Sequence, residues 1–282
     1  MSHPYRAQKT AFTLLLLATL VILASVGFVV VVIVVKGLPG ISWEFLSDIP
    51  RQGMRAGGIF PAIVGTAYLV AGAIIFALPI GLLAAIYLSE YAKDNALTRV
   101  IKLAIVNLAG VPSVVYGLFG LALFVVFFKF GVSILSGSLT LGIMILPLII
   151  TASRESLESV PQSFREVSLS LGASKWQTIQ HIVLPNAIPG ILTGTILGVG
   201  RAAGETAPIL FTVAAFYLPQ LPGSIFDQAM ALPYHLYVIS TQVPNVDEKI
   251  RYGTAFVLLT LVLFVNLVAI VIRYRFRMKK KW

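Results

Sequence analysis

Ionised residues punctuate this chain and leave long apolar stretches between them. None occurs from Thr10 to Val35, Ala56 to Ser89, Leu103 to Phe128, Phe130 to Ser153 or Tyr252 to Ile272. A further stretch, Pro185 to Pro219, is apolar apart from Arg201 and Glu205. A helix rising about 1.5 Å per residue needs roughly 20 apolar residues to cross the hydrocarbon of a bilayer, so each stretch supplies one crossing. The pattern predicts an all-α integral membrane protein: one domain, 1–282, with spans at 11–35, 59–89, 103–128, 137–153, 187–218 and 252–272. The polar segment 154–184 becomes a long loop between the fourth and fifth of these six spans. The second stretch is too long to stand upright, and Pro79 followed by Gly81 predicts a kink or tilt.

Hydrophobic residues make up 58% of the chain and charged residues 11%, against about 25% charged in a soluble domain. That leaves too little polar surface to cover the apolar atoms, so lipid is the solvent. The net charge of +10 resembles a nucleic-acid signal until its placement is read. With six spans, alternate loops share a side. One side collects Arg6, Lys9, Lys93, Arg99, Lys102, Arg154, Arg165 and Lys175, with the tail Arg273, Arg275, Arg277, Lys279, Lys280 and Lys281. The other holds Lys36, Arg51, Arg55, Lys129, Lys249 and Arg251. The richer side is expected to be cytoplasmic, with both termini there and the tail near lipid headgroups. No nucleic-acid partner is needed to explain the charge. The first apolar run exceeds the roughly 7–15 residues of a signal-peptide core, so an uncleaved span is expected. The absence of cysteine excludes disulfides, Cys-ligated metals and thiol nucleophiles.

Within 154–184, Ser159 with Gln162 reads as a capping box, and Pro161 falls in the first turn. Val160, Phe164, Val167 and Leu171 then share one helical face, with Ser163, Arg165, Glu166, Ser168 and Ser170 pointing elsewhere. Gly172 ends that helix. Ser174 with Gln177 caps a second, which carries Trp176, Ile179 and Ile182 and stops before Pro185. A helix lying in the headgroups and a helix docking on a partner fit this periodicity equally. Spacing separates them. Glu166, Gly172 six residues on, and then Ile182-Val183-Leu184-Pro185 resembles the EAA loop of ABC importer permeases, Glu-Ala-Ala-x3-Gly-x9-Ile-x-Leu-Pro. Val167 and Ser168 stand in place of the two alanines. The resemblance implies the type I ABC importer permease fold and a first short helix seated on a cytoplasmic ATPase. Phe164, Glu166, Val167, Leu171 and Gly172 are the residues it assigns to docking.

Arg201 and Glu205 are the ionised residues inside a predicted span. An arginine at the bilayer centre costs about 2.5–3.5 kcal/mol on insertion scales, so it marks a buried or watery surface. On a continuous helix the two lie four apart on one face, in the same sector as the ladder Gly190, Gly194 and Gly198. Small residues admit a neighbouring helix closely, so the charged face meets protein. Pro208 is expected to end the segment. A neutralised pair that specifies packing is one reading. The other makes Arg201 a permanent cation on an anion path, with Glu205 holding it or competing for it. The run Gly200-Arg201-Ala202-Ala203-Gly204-Glu205-Thr206-Ala207-Pro208-Ile209-Leu210-Phe211-Thr212 is similar to the signature of the phosphate-specific (Pst) importer permeases, nearer the A-type subunit than the C-type. Val111-Pro112-Ser113-Val114-Val115-Tyr116-Gly117-Leu118-Phe119-Gly120, Leu78-Pro79-Ile80-Gly81 and Tyr87-Leu88-Ser89-Glu90-Tyr91 agree.

That resemblance implies an importer subunit of a bacterial or archaeal plasma membrane. Its partners would be a C-type permease, two ATPases and an extracytoplasmic phosphate-binding protein. No Gly-x4-Gly-Lys-Ser/Thr occurs, so ATP and magnesium are expected on the partner ATPase and no cofactor on this chain. His3, His181 and His235 are widely separated, with neither His-Glu-x-x-His nor Gly-x-Ser-x-Gly, which argues against a membrane hydrolase. His235 reads as a loop residue and His181 as a residue closing the second short helix. Two transport alternatives stay open. One is an importer of sulfate, molybdate or a neutral solute. The other is a secondary transporter, which normally shows an inverted repeat and more polar groups at mid-membrane.

Overall fold

The computed structural model describes residues 4–278. His3 and the tail lysines Lys279, Lys280 and Lys281 lie outside the described residues. Helix α1 spans Pro4–Gly37 and α2 Trp43–Ser47, followed by a two-stranded antiparallel hairpin, β1 Pro50–Arg51 and β2 Ala56–Gly57. Helix α3, Phe60–Ile86, continues as a π-helical segment to Tyr91. Then come α4 Ala96–Ala109, α5 Ser113–Gly120 with a π-helical extension to Phe127, and α6 Ile134–Glu158. The loop region holds α7 Gln162–Ser170 and α8 Lys175–Thr178, the latter running through a π turn into α9, Leu184–Gly204. Short helices α10, Ala207–Thr212, and α11, Leu232–Thr241, precede α12, Glu248–Met278.

Among the described residues, five helical stretches are long and apolar enough to cross a membrane, with a sixth crossing if one bent pair counts as a span. That pair corrects the third predicted span. Helices α4 and α5 meet at 102° instead of forming one rod over 103–128. Pro112 supplies no N–H and pushes Val111 out of helical backbone, so the chain turns at Gly110–Pro112. Tyr116 Oη donates to Leu108 O at 2.7 Å, adding a side-chain donor to a carbonyl that also accepts from Val111 N at 3.1 Å.

Helices α3 and α6 run parallel through glycine contacts. A Cβ on Gly72 would meet Ser138, one on Gly142 would meet Phe76, and one on Gly81 would meet Ile149. Helix α9 runs antiparallel to α6, with Gly190 against Ser156 and Gly194 against Ala152. The glycine ladder thus does admit a helix closely, and that helix is α6. Helix α12 is antiparallel to α9, Gly200 facing Asn266, and α1 is antiparallel to α12, Gly37 facing Tyr252 and Phe256. The start of α1 and the end of α12 therefore point toward the face that carries α7 and α8. Helix α1 is exposed along most of its length and stands beside α12, not within the core.

On the opposite face the chain from Glu205 to Asn245 folds back among the helices. Ser133, Ile134 and Leu135 donate their backbone N–H groups to Thr212, Asp227 and Ile225 carbonyls at 2.9 Å each, so this segment closes the start of α6. Leu232 N donates to Thr66 Oγ1 at 2.8 Å. A span running helically to 218 was expected. Apolar composition there reflects a buried irregular segment, with Ile209, Val213 and Met230 in the main core.

His235 is not a loop residue. It lies on α11, 2% exposed, and burial lowers its pKa from 6.5 to about 4. The unfolded chain therefore takes up this proton before the folded one does. Its contribution to stability should be complete above pH 6.5 and lost as pH falls toward 4, about 3 kcal/mol in all. Thermal unfolding of detergent-solubilised protein between pH 7 and 4 measures this, and a His235→Gln variant should show a flatter profile.

Candidate functional site

Arg201 occupies the last turn of α9. The helix stops at Gly204, and Glu205 takes up extended backbone at φ −77°, ψ 133°. Pro208 sets this break one turn upstream of itself, since its ring conflicts with the carbonyl four residues back and cannot donate to it. The proline is not the segment's end but lies in the first turn of α10. Arg201 Nε still reaches Glu205 Oε1 at 3.4 Å, the side chains 32% and 20% exposed. The pair is joined across a helix end instead of along a helix face. Next to it a cavity of about 10 Å³ is lined by Thr66, Leu141, Ala202, Glu205, Ile209 and Ala231. That is about the space one water needs. Gly117 brings α5 against the break, where a Cβ would meet Phe211, Ala207 O and Pro208 Cα at 2.8–3.0 Å.

The second cluster is the loop carrying α7 and α8. Gly172 has φ +83°, the left-handed backbone expected of a glycine ending α7. Ser174 and Gln177 form the expected capping box reciprocally. The box at Ser159 and Gln162 does not form. Helix α6 runs on through its charged last turn, where Arg154 pairs with Glu158 at 3.2 Å. Ser159 is used up closing it, its hydroxyl donating to Ser156 O at 2.8 Å. Pro161 then occupies the position before α7.

The residues expected to dock divide by direction. Val167 and Leu171 are exposed, Leu171 at 83%, beside exposed Trp176. Glu166 is exposed as well. Phe164 turns inward and packs, partly buried, against a cluster containing Ile86, Leu157, Val160, Ile179 and Val183. Ser168 Oγ and Thr178 Oγ1 lie 2.9 Å apart and tie α7 to α8. His181 Nδ1 lies 3.1 Å from Gln177 O on the exposed side.

The model of a family described as "Binding-protein-dependent transport system inner membrane component" matches residues 77–281. The chain belongs to this family of ABC transporter permeases. The matched stretch takes in the end of α3, the whole α7–α8 loop and the Arg201–Glu205 break, and leaves out α1. Curated relatives agree. A probable ABC transporter permease protein, YqgI of Bacillus subtilis, is 32% identical over 84% of this chain and 85% of its own length. The phosphate transport system permease protein PstA of Xylella fastidiosa is 32% identical over 94% and 93%. PstA 1 of Mycobacterium tuberculosis is 37% identical over 78% and 71%. Among solved structures, an inward-facing MetNI methionine ABC transporter matches with a TM-score of 0.60 at 15% identity, covering 77% of this chain and 97% of that one. A bacterial ABC transporter importing the acidic polysaccharide alginate matches at 0.62 and 13% identity, covering 96% and 99%. At such identities these two establish the fold, the type I importer permease.

Three polar positions in this permease escaped a search for charges within spans. Asn266 on α12 approaches Gly200, one residue from Arg201. Thr66 on α3 lines the small cavity. Glu90, at the end of α3, pairs with Arg165 of α7 at 2.7 Å. Val is costly at Gly172, since left-handed backbone disfavours a β-carbon by about 1–2 kcal/mol, whereas Asn visits that region. Gly172→Val should raise hydrogen exchange across residues 162–178 of the purified permease, and Gly172→Asn should leave it near wild type.

Proposed function

We propose that this permease forms half of the translocation path of an ATP-driven phosphate importer and couples that path to a cytoplasmic ATPase. The observation that carries the reading is the Arg201–Glu205 pair, partly buried at a helix break, with Glu205 lining a water-sized cavity. A guanidinium stays charged at any physiological pH and offers a planar fork of donors to an oxyanion. Glu205, on extended backbone beyond the helix, can leave Arg201 without unwinding α9. The names of the PstA relatives support phosphate as that oxyanion.

In this reading α7 and α8 face the cytoplasm, both termini lie on that side, and Val167, Leu171 and Glu166 meet the ATPase. A C-type permease supplies the other half of the path, and an external binding protein delivers phosphate. ATP binding and hydrolysis on two ATPase subunits shift α7 and open the path alternately to each side. This chain contributes alternating access and no covalent chemistry. The YqgI relative carries no solute in its name, which keeps a different importer as the second reading. Stimulation of ATP hydrolysis by phosphate, sulfate or molybdate, with the matching binding proteins, separates the two.

Arg201→Gln should abolish phosphate uptake in proteoliposomes while the complex still assembles. The double variant Arg201→Gln with Glu205→Gln decides what the arginine does. Uptake should stay absent in it if Arg201 serves the anion. Recovered uptake would make the pair a packing device and remove the pathway role.

A further inference from the structure

Helix α7 is the element that must carry motion into the membrane, yet it is loosely attached. None of its residues is buried. A groove of about 590 Å³ lies beside it, lined by Ser89, Glu90, Glu158, Gln162, Arg165 and Lys175 among others. Phe164 enters the apolar cluster and Ser168 reaches α8. A further tie is Arg165, and it is of a different kind.

The Arg165 guanidinium reaches two other elements at once. Nη2 donates to Glu90 Oε1 at 2.7 Å and Nε to Glu90 Oε2 at 3.3 Å, a two-pronged pairing with the π-helical end of α3. Nη2 also donates to Leu157 O at 2.9 Å, and Nη1 to Val160 O at 2.7 Å. Leu157 lies in the last turn of α6 and Val160 two residues beyond its end, and Leu157 O also accepts from Val160 N at 3.3 Å. The side chains of Arg165 and Glu90 are 12% and 7% exposed, unlike the other ion pairs near this face. Water and salt therefore screen this pair weakly. A planar fork with several donors fixes both distance and angle, which a lysine could not do.

We infer that Arg165 and Glu90 are positioning residues that make α7, α3 and α6 move as one body, passing displacement of α7 to the path. Helices α3 and α6 wall the small cavity beside Glu205, through Thr66 and Leu69 on α3 and Leu141 on α6. From Glu90 to Thr66 the helical rise is about 36 Å, so a small tilt at one end is a displacement at the other. The π-helical segment at Tyr87–Tyr91 places Glu90 under Arg165; such segments interrupt helices mostly at functional positions. The inference rests on the proposed coupling to an ATPase.

The test uses the complete complex in proteoliposomes, reading ATP hydrolysed and phosphate taken up together. Wild type must first co-purify with ATPase and take up phosphate only with ATP; failure there overturns the importer reading and this inference with it. Glu90→Gln keeps the shape of the side chain and removes its charge. It should leave the complex assembled and hydrolysing ATP, while uptake per ATP falls about tenfold. Glu90→Asp, which keeps the charge on a shorter arm, should fall between. The chain has no cysteine of its own, so Glu90→Cys with Arg165→Cys offers one pair for a thiol-reactive bridging reagent. The unbridged pair should be uncoupled, and bridging should restore uptake per ATP. Unchanged uptake per ATP in Glu90→Gln overturns the inference. So does an uncoupled cysteine pair that bridging fails to repair, since a purely local packing role would then suffice.

Discussion

A backbone amide or carbonyl in hydrocarbon has no water to turn to, and leaving one unpaired costs several kcal/mol. At several departures from straight helix another segment supplies a partner. At the elbow between α4 and α5, Tyr116 reaches back to Leu108 O. The first N–H groups of α6 are taken by carbonyls of Thr212, Asp227 and Ile225. Before α11, Leu232 N finds the Thr66 hydroxyl. At the end of α6, Arg165 donates to Leu157 and Val160. The irregular parts are thus tied to their neighbours at these points.

The same demand explains the use of small residues. Helices α3, α6 and α9 meet through glycines set against Ser138, Ile149, Ser156 and Ala152. Between helices in lipid, close contact has to come from van der Waals packing, because hydrocarbon tails satisfy apolar side chains as well as a protein neighbour does. Helices α1 and α12 lie outside this trio and keep bulky side chains against the surroundings. The closely packed centre and the exposed periphery therefore differ in residue size more than in hydropathy.

Features governed by near neighbours were legible in the sequence. The left-handed Gly172, the Ser174–Gln177 box and the closely packed face of α9 each depend on residues within a few turns. The elbow carried its signal in Gly110-Val111-Pro112, but a count of uncharged residues weighs a broken span and a straight one alike. The stretch after Glu205 was apolar because it is buried, and burial does not require a helix. Glu90 and Arg165 are 75 residues apart, and nothing local couples them. Only the fold brings the end of α3 beneath α7. Arg165 had been set on the polar side of its helix, which is correct for its charge but not for its surroundings.

The early stop of α9 bears on the electrostatics of its arginine. Aligned peptide dipoles leave roughly half a negative charge on the unpaired carbonyls at a helix C-terminus, an effect concentrated in the last turn. Arg201 lies in that turn because α9 ends at Gly204. The guanidinium therefore has two counter-charges, a fixed one from its own helix and a movable one from Glu205. In the proposed exchange, where the carboxylate swings aside, the cation stays partly neutralised by backbone. On the proposed role of Arg201, exchange of one anion for another needs no moment at which the charge stands bare in the membrane.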